Sequence, residues 1–168
     1  MASLGKRGLR TLKILHLLTA GLWVGGAFTL NLMLLLPGAP GSDGELLGYN
    51  LACKFVDDLV VIPGAIGCLV TGLLFSILSP WGFFKHRWLA VKWVLMVFCI
   101  LFGTFYLGPK INGQPPITLV EGLGALADPV YLSNKSGNIA GGLVQLVLIF
   151  FMVAISVLRP WKSVKKEA

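Results

Sequence analysis

The chain has 168 residues, of which 56% are hydrophobic and only 12% are charged. Its mean hydropathy is +0.83. This composition excludes an ordinary soluble globular domain and indicates an integral membrane protein. The apolar runs also lack the polar stripe that a helix at a protein–water boundary would carry, so lipid and other helices are the surroundings that they suit.

Four hydrophobic runs, each close to the roughly 20 residues that cross a bilayer, predict four transmembrane helices. We expect them at about residues 13–36, 59–78, 88–107 and 139–158. Each stops beside a proline, which normally cannot continue a helix. The first run is too long for a signal peptide and has no small-x-small cleavage site close after it, so we expect it to be retained. The predicted fold is an all-α four-transmembrane-helix bundle forming one integral membrane domain.

The segment from about residue 110 to 138 is predicted as an extramembrane loop. Within it, the stretch ITLVEGLGALADP places leucines at helical spacing and favours a short interfacial helix. The cysteines have neither metal-type spacing nor a close pair, so no disulfide is expected, and Cys68 and Cys99 are interpreted as small packing residues. Cys53, near the predicted start of the second span, is expected to be more accessible.

Basic residues predict the orientation of the chain. They cluster before the first run, in the PWGFFKHRW turn between the second and third runs, and after the fourth, whereas most acidic residues lie in the other connections. The positive-inside rule then predicts that both termini are cytoplasmic, in a bacterial inner membrane. The formal net charge of +7 is interpreted as anchoring to the lipid bilayer rather than as a nucleic-acid footprint. A homo-oligomer is left open.

Ionisable side chains inside a spanning helix are costly and mark functional sites by default. His16 lies in the first span. It is interpreted either as an interfacial side chain or as a metal ligand or proton carrier. Lys92 lies five residues inside Arg87, so its ammonium either reaches the interface or is buried and pairs with an anion such as a haem propionate. His86, at the mouth of the third span, is either exposed or a second ligand. It is six residues from Lys92, which predicts directions about 120° apart on a helix.

Other polar and small residues carry further expectations. Gly21 and Gly25 predict a close approach of another helix to the first span. Pro63 predicts a kink in the second span, and Asp57 and Asp58 before it are interpreted as a solvated helix start or, alternatively, as ligands of a cation. The remaining neutral polar residues in the spans are expected to hydrogen-bond between helices; they are Asn31, Asn138 and Gln145.

Two segments carry a resemblance to a known group. KILHLLTAGLWVGGAF and WLAVKWVLMV resemble the first and third helices of the superfamily that contains CopD-like copper-resistance membrane proteins, small membrane proteins related to them, and HemJ-type protoporphyrinogen IX oxidases. In the HemJ-type enzymes a first-helix histidine and a third-helix lysine are the functional residues and b-type haem is bound. The resemblance therefore implies that His16 and Lys92 hold haem b, with His16 on the iron.

Three functions follow from these observations. The first is a haem-b-binding membrane protein with an electron-transfer or oxidase-like role, in which His86 is an alternative second iron ligand. The second is a non-redox metal-handling or small-solute transporter, which at four helices would have to be a homo-oligomer. The third is a structural partner subunit of a membrane complex. Neither a nucleophile–base pair, nor a phosphate-binding glycine loop, nor a zinc-type Cys/His cluster is present in the sequence.

Overall fold

The computed structural model describes residues 4–35, 38–79 and 82–161, and within them every regular element is helical. The described residues form four helical rods that are long and apolar enough to cross a membrane. The rods are Lys6–Leu35, Asp43–Leu78, Arg87–Ala127 and Pro129–Leu158. The predicted all-α, four-transmembrane-helix fold is confirmed.

Two of the rods are built from several segments. The first and fourth rods are single helices, α1 (Lys6–Leu35) and α7 (Pro129–Leu158). The second consists of α2 (Asp43–Val56), a π-helical segment (Asp57–Val61) and α3 (Ile62–Leu78). The third consists of α4 (Arg87–Phe102), a second π-helical segment (Gly103–Leu107), α5 (Gly108–Asn112), α6 (Gln114–Glu121) and a 3₁₀ segment (Gly122–Ala127).

The second and third rods therefore extend well beyond the predicted spans, and the predicted loop at 110–138 is wrong. That segment is helical almost throughout, including the expected helix in ITLVEGLGALADP. The prediction failed because it rested on the rule that a proline normally ends a helix. Pro109 instead lies in the first turn of α5, directly after a π-helical segment.

Both π-helical segments precede a proline in the same way. The backbone N–H of Ile62, just before Pro63, bonds to Asp57 O five residues back, and that of Gly108, just before Pro109, bonds to Gly103 O. The wider turn absorbs the proline, which has no N–H to donate and whose ring would collide with a normal helical turn. Asp57 consequently lies in the middle of a rod, and its interpretation as part of a solvated helix start is wrong.

Glycines bring α1 into close contact with the second rod. A Cβ added to Gly64 would lie 2.5 Å from Trp23 N, and one added to Gly26 would lie 2.9 Å from Val60 Cγ1. By contrast, a Cβ at Gly21 or Gly25 would meet nothing within 4 Å. The expectation for Gly21 and Gly25 is therefore wrong within this bundle, and the helix contact is made by other glycines.

A hydrophobic core lies between the rods, around Trp23, Cys68, Met96, Cys99 and Ile149. Large aliphatic and aromatic side chains cover the outer faces of the rods, as lipid contact requires. The interpretation of Cys68 and Cys99 as packing residues is confirmed, since both are buried.

Cys53 is buried as well, at 2% exposure, contrary to the expectation of an accessible thiol. It packs with Leu34 and Ile111 in a second small cluster. The prediction failed because α2 extends the second rod by about four turns before the predicted span, so that Cys53 lies within a helix contact rather than near a helix end.

Two of the three predicted interhelical amide bonds are present. Gln145 Nε2 donates to Cys99 O at 3.3 Å. Asn138, with its amide oriented to suit its neighbours, donates to Leu107 O and accepts from Gln114 Nε2 and Ile111 N. Asn31 differs, because its Nδ2 donates within α1 to Ala27 O.

The start of α1 lies beside the end of α3, where Leu4 N donates to Leu78 O at 3.2 Å. The start of α4 lies beside the end of α7, where Lys92 Nζ donates to Ser156 Oγ at 2.8 Å. We call this side of the bundle, which contains residues 4–16, 71–79, 86–96 and 152–161, the terminal end.

The glycine contact predicts a sharp difference between two substitutions. Gly64→Ala would force a Cβ against the backbone of Trp23, so we expect it to lower the free energy of unfolding by about 2 kcal/mol or more. Gly21→Ala, the matched control, places its methyl in open space and should leave stability unchanged or slightly raised. Unfolding of the two purified variants in detergent measures both effects, and equal stability of the two would contradict this packing.

Candidate functional site

A cavity of about 640 Å³ opens at the terminal end, between α1, α3, α4 and α7. Two of the three residues singled out from the sequence, His16 on α1 and Lys92 on α4, line it. Its walls are largely apolar and aromatic. They include Leu9, Leu17, Phe75, Trp88, Leu89, Trp93, Met96 and Val157. Its size falls within the range of roughly 300–1,000 Å³ typical of small-molecule and cofactor pockets.

The hydrogen bonds around His16 favour one tautomer. His16 Nδ1 lies 2.7 Å from Thr71 Oγ1. Thr71 Oγ1 also lies 2.6 Å from Gly67 O and 3.3 Å from Cys68 O, two carbonyl acceptors of its own helix. A hydroxyl has only one proton; donated to either carbonyl, it leaves Thr71 Oγ1 to accept, and His16 Nδ1 carries the hydrogen. Nε2 then holds a lone pair, and it has no hydrogen-bond partner among the described residues.

The position of the His16 ring depends on the close contact of α1 with α3. A Cβ at Gly67 would collide with Thr19, one turn beyond His16, so a glycine at this position lets the two helices approach. Phe75 adds an edge contact, with its ring centroid 5.7 Å from that of His16 and an interplanar angle of 87°. The imidazole is thus held by a hydrogen bond on one nitrogen and by an aromatic ring.

Lys92 is half-buried and bonds to a neutral group. Its Nζ donates to Ser156 Oγ, and Ser156 in turn donates to Met152 O. An ammonium has three hydrogens, so two remain for a ligand. The Lys92 ammonium thus has a partner on α7 within the bundle.

The charged side chains that line the cavity are basic. Four cationic side chains line it, and among the described residues no carboxylate does. The four are Arg10, Lys13, Lys92 and Arg159. Arg159 lies in a left-handed conformation at the end of α7, with its guanidinium 5.7 Å from the Trp88 ring centroid. An apolar chamber with a cationic mouth suits an amphiphile that carries negative charge at one end.

The structure does not bring His86 to this cavity. His86 is the residue before the first turn of α4, and its ring stacks on Trp88 with centroids 6.1 Å apart. Met96, one turn beyond Lys92, does line the cavity and is buried.

Sequence reasoning missed the partners that define the site. The bond between Thr71 and His16 spans 55 residues, so spacing along the chain does not indicate it. Ser156 and Arg159 were not singled out as site residues. A serine within an apolar span is a usable signal, because its hydroxyl needs a partner there. Among the described residues, no group of three His, Cys, Asp or Glu side chains is placed to hold a metal ion.

Comparison with known proteins gives one match. A family model described as "Predicted integral membrane protein (DUF2269)" matches residues 10–160, which include all four rods except the first four residues of α1, and every lining residue of the cavity except Leu9. No curated protein and no solved structure matches the chain.

Proposed function

Because the chain belongs to the DUF2269 family of integral membrane proteins, its site lies within a membrane-embedded bundle, and we propose that it binds haem b there and has a redox role. The role is electron transfer or an oxidase-like reaction, as in the CopD-like and HemJ-like proteins that the first and third helices resemble. Bundles commonly hold cofactors between facing helices by inward side chains.

The observation that carries this proposal is the pairing of an available imidazole nitrogen with a cationic mouth. His16 presents Nε2 with its lone pair, and Thr71 fixes the tautomer from the other side. A metal-binding histidine typically has its second nitrogen held in this way. The apolar ring of haem b would pack against the walls of the cavity, and its two propionates would pair with the cationic side chains. The donor set and the charge of the cavity thus fit the cofactor.

The residues of this chain then have distinct tasks. His16 would hold the iron through Nε2, and Thr71 would keep the ring oriented. Lys92 would hold a propionate through its two remaining hydrogens, or serve as an iron ligand in its neutral form. Met96 is a thioether in the same cavity and competes with Lys92 as the second ligand. The haem itself supplies the electron chemistry, and the protein tunes it through burial and ligand choice.

Absorption spectra of the purified protein, oxidised and reduced, test the proposal. After expression with sufficient haem, or after addition of haemin to the apoprotein, we expect a Soret band that sharpens and shifts on reduction. His16→Ala should weaken haem binding at least tenfold, and Lys92→Gln by about tenfold, since a charge-assisted bond contributes about 1.5–3 kcal/mol. His86→Ala is the matched control and should bind as the wild type does.

The absence of a Soret band from the haem-supplied wild type would contradict this function. So would a His16→Ala variant with unchanged spectrum and affinity. If His16→Ala does not fold, Thr71→Val is the alternative test. It keeps the His16 imidazole but removes the hydrogen-bond partner of Nδ1, so an unchanged spectrum and affinity in this variant would also count against the proposal. Retention of an anionic phospholipid in a cavity that never takes haem would assign the cationic mouth to lipid instead.

We also propose that the terminal end faces the cytoplasm of a bacterial cell, since the basic residues of the described chain concentrate there. Cysteine labelling in intact cells measures this, because the three native cysteines are all buried. Phe84→Cys, at a site that is 72% exposed beside the terminal end, should be protected from a membrane-impermeant maleimide. Val120→Cys, at a site that is 85% exposed in α6, should be labelled. The reverse pattern would overturn this orientation.

A further inference from the structure

A second, much smaller cavity lies on the other side of the bundle. It has a volume of about 30 Å³, enough for roughly two water-sized particles. Asn31, which lines it, is 15 residues after His16 on α1, a rise of about 22 Å along the helix. Trp23 and the core around it lie between the two cavities. The small cavity is therefore separate from the proposed haem site.

Both π-helical segments meet at this small cavity. Asp57 and Val61 belong to the first segment, and Leu107 ends the second; all three line the cavity. Inserted π turns are frequent at functional sites because they redirect side chains and backbone carbonyls. Here they bring a carboxylate toward the interior of the bundle, facing α1 and α7.

The polar atoms at the cavity are chiefly acceptors. Asn31 is 5% exposed, its Nδ2 donates to Ala27 O, and its buried Oδ1 has no hydrogen-bond partner. Gln145 uses its Nε2 on Cys99 O, so its Oε1 has no donor among the described residues. A buried amide oxygen without a partner costs about 1–3 kcal/mol, so a missing ligand or water is expected at this position.

Asp57 adds a carboxyl group to the lining of the cavity. The nearest basic residue along the helix, Lys54, forms its ion pair with Asp58, at 2.6 Å, and also donates to Asn112 Oδ1. Asp57 itself has neither a hydrogen bond nor an ion pair among the described residues. A carboxylate without an ion pair inside a membrane bundle is costly, so it either takes up a proton or binds a cation.

We propose that this cavity is a binding site for one Na⁺ ion, held by the Asp57 carboxylate and the amide oxygens of Asn31 and Gln145. Hard cations select carboxylate and amide oxygens. A single carboxylate balances a monovalent charge, whereas a divalent ion would leave one positive charge buried. The small volume favours a compact ion accompanied by at most one water.

Thermal unfolding of the purified full-length protein in detergent tests this site. In NaCl, compared with choline chloride at equal ionic strength, we expect the wild-type Tm to rise by about 5 °C at saturation, because a ligand that binds only the folded state stabilises it. Asp57→Asn should abolish the rise. Glu121→Gln, a change of an exposed carboxylate that does not line the cavity, should retain it.

A second variant tests the cavity without altering charge. A Cβ at Gly142 would lie 2.9 Å from Asn31 Oδ1, so Gly142→Ala fills the space beside the orphaned oxygen. It should remove the sodium effect as Asp57→Asn does. Binding of radioactive ²²Na⁺ to the wild type should reach one ion per chain and should fall at least tenfold in Gly142→Ala. This measurement also decides the question if Asp57→Asn fails to fold.

Equal Tm values in sodium and choline, together with no ²²Na⁺ binding, would overturn the proposal and leave the cavity to water. A Tm that follows pH but not sodium would overturn it too, and would assign a proton to Asp57. Sodium binding that persists unchanged in Gly142→Ala and Asp57→Asn would place the ion elsewhere. Each of these results is independent of whether the terminal-end cavity binds haem.

Discussion

The hydrogen bond from His16 to Thr71 is the interaction on which the site at the terminal end depends. It connects α1 to α3 within the bundle. Because the Thr71 hydroxyl also lies 2.6 Å from a carbonyl of its own helix, the bond favours hydrogen on Nδ1 of His16. Glycines at the contact between these helices make the short distance possible, so backbone packing determines the chemistry of the imidazole.

The two ends of the bundle contain cavities of different size and charge. At one end, a cationic mouth leads into an apolar chamber with His16 and Lys92 in its wall. About 22 Å farther along α1, Asp57 and three amide side chains lie among the mainly apolar residues that line a much smaller space. The packed core between them, around Trp23 and Cys99, keeps the two regions apart. The large cavity has basic residues in its lining and the small one has a carboxyl group, so the two suit ligands of opposite charge.

Much of the fold was predictable, because hydrophobic length is a direct physical requirement for crossing lipid. The four spans and the all-helical class follow from that requirement, and His16 and Lys92 are candidate site residues because burying a charge is costly. The errors arose where a rule about residues close in sequence predicted a helix end or a contact that depends on three-dimensional packing. Pro109 predicted a helix end, yet the π-helical turn before it accommodates the ring. Gly21 and Gly25 predicted a contact that Gly26 and Gly64 make instead, since spacing alone does not reveal which face meets a neighbour.

The partners of the site residues were beyond the reach of sequence patterns for the same reason. Thr71 meets His16 across 55 positions and Ser156 meets Lys92 across 64, and both pairs depend on helix rotation. The orphaned oxygen of Asn31 was likewise invisible, because an asparagine in a span is expected to find a partner. The two π-helical segments determine which residues surround the Asn31 amide, and the hydrophobic periodicity of the sequence does not predict these segments.

Nitrogen-15 NMR of the two histidines tests the central claim most directly, since the chain contains only His16 and His86. A His86→Gln variant leaves one imidazole to observe. In apoprotein at neutral pH, we predict a protonated, pyrrole-type signal for Nδ1 of His16 and an unprotonated, pyridine-type signal for Nε2. Thr71→Val should lose this preference. Hydrogen on Nε2 instead, or a doubly protonated ring, would contradict the account, because the atom assigned to the cavity ligand would then have no lone pair to offer.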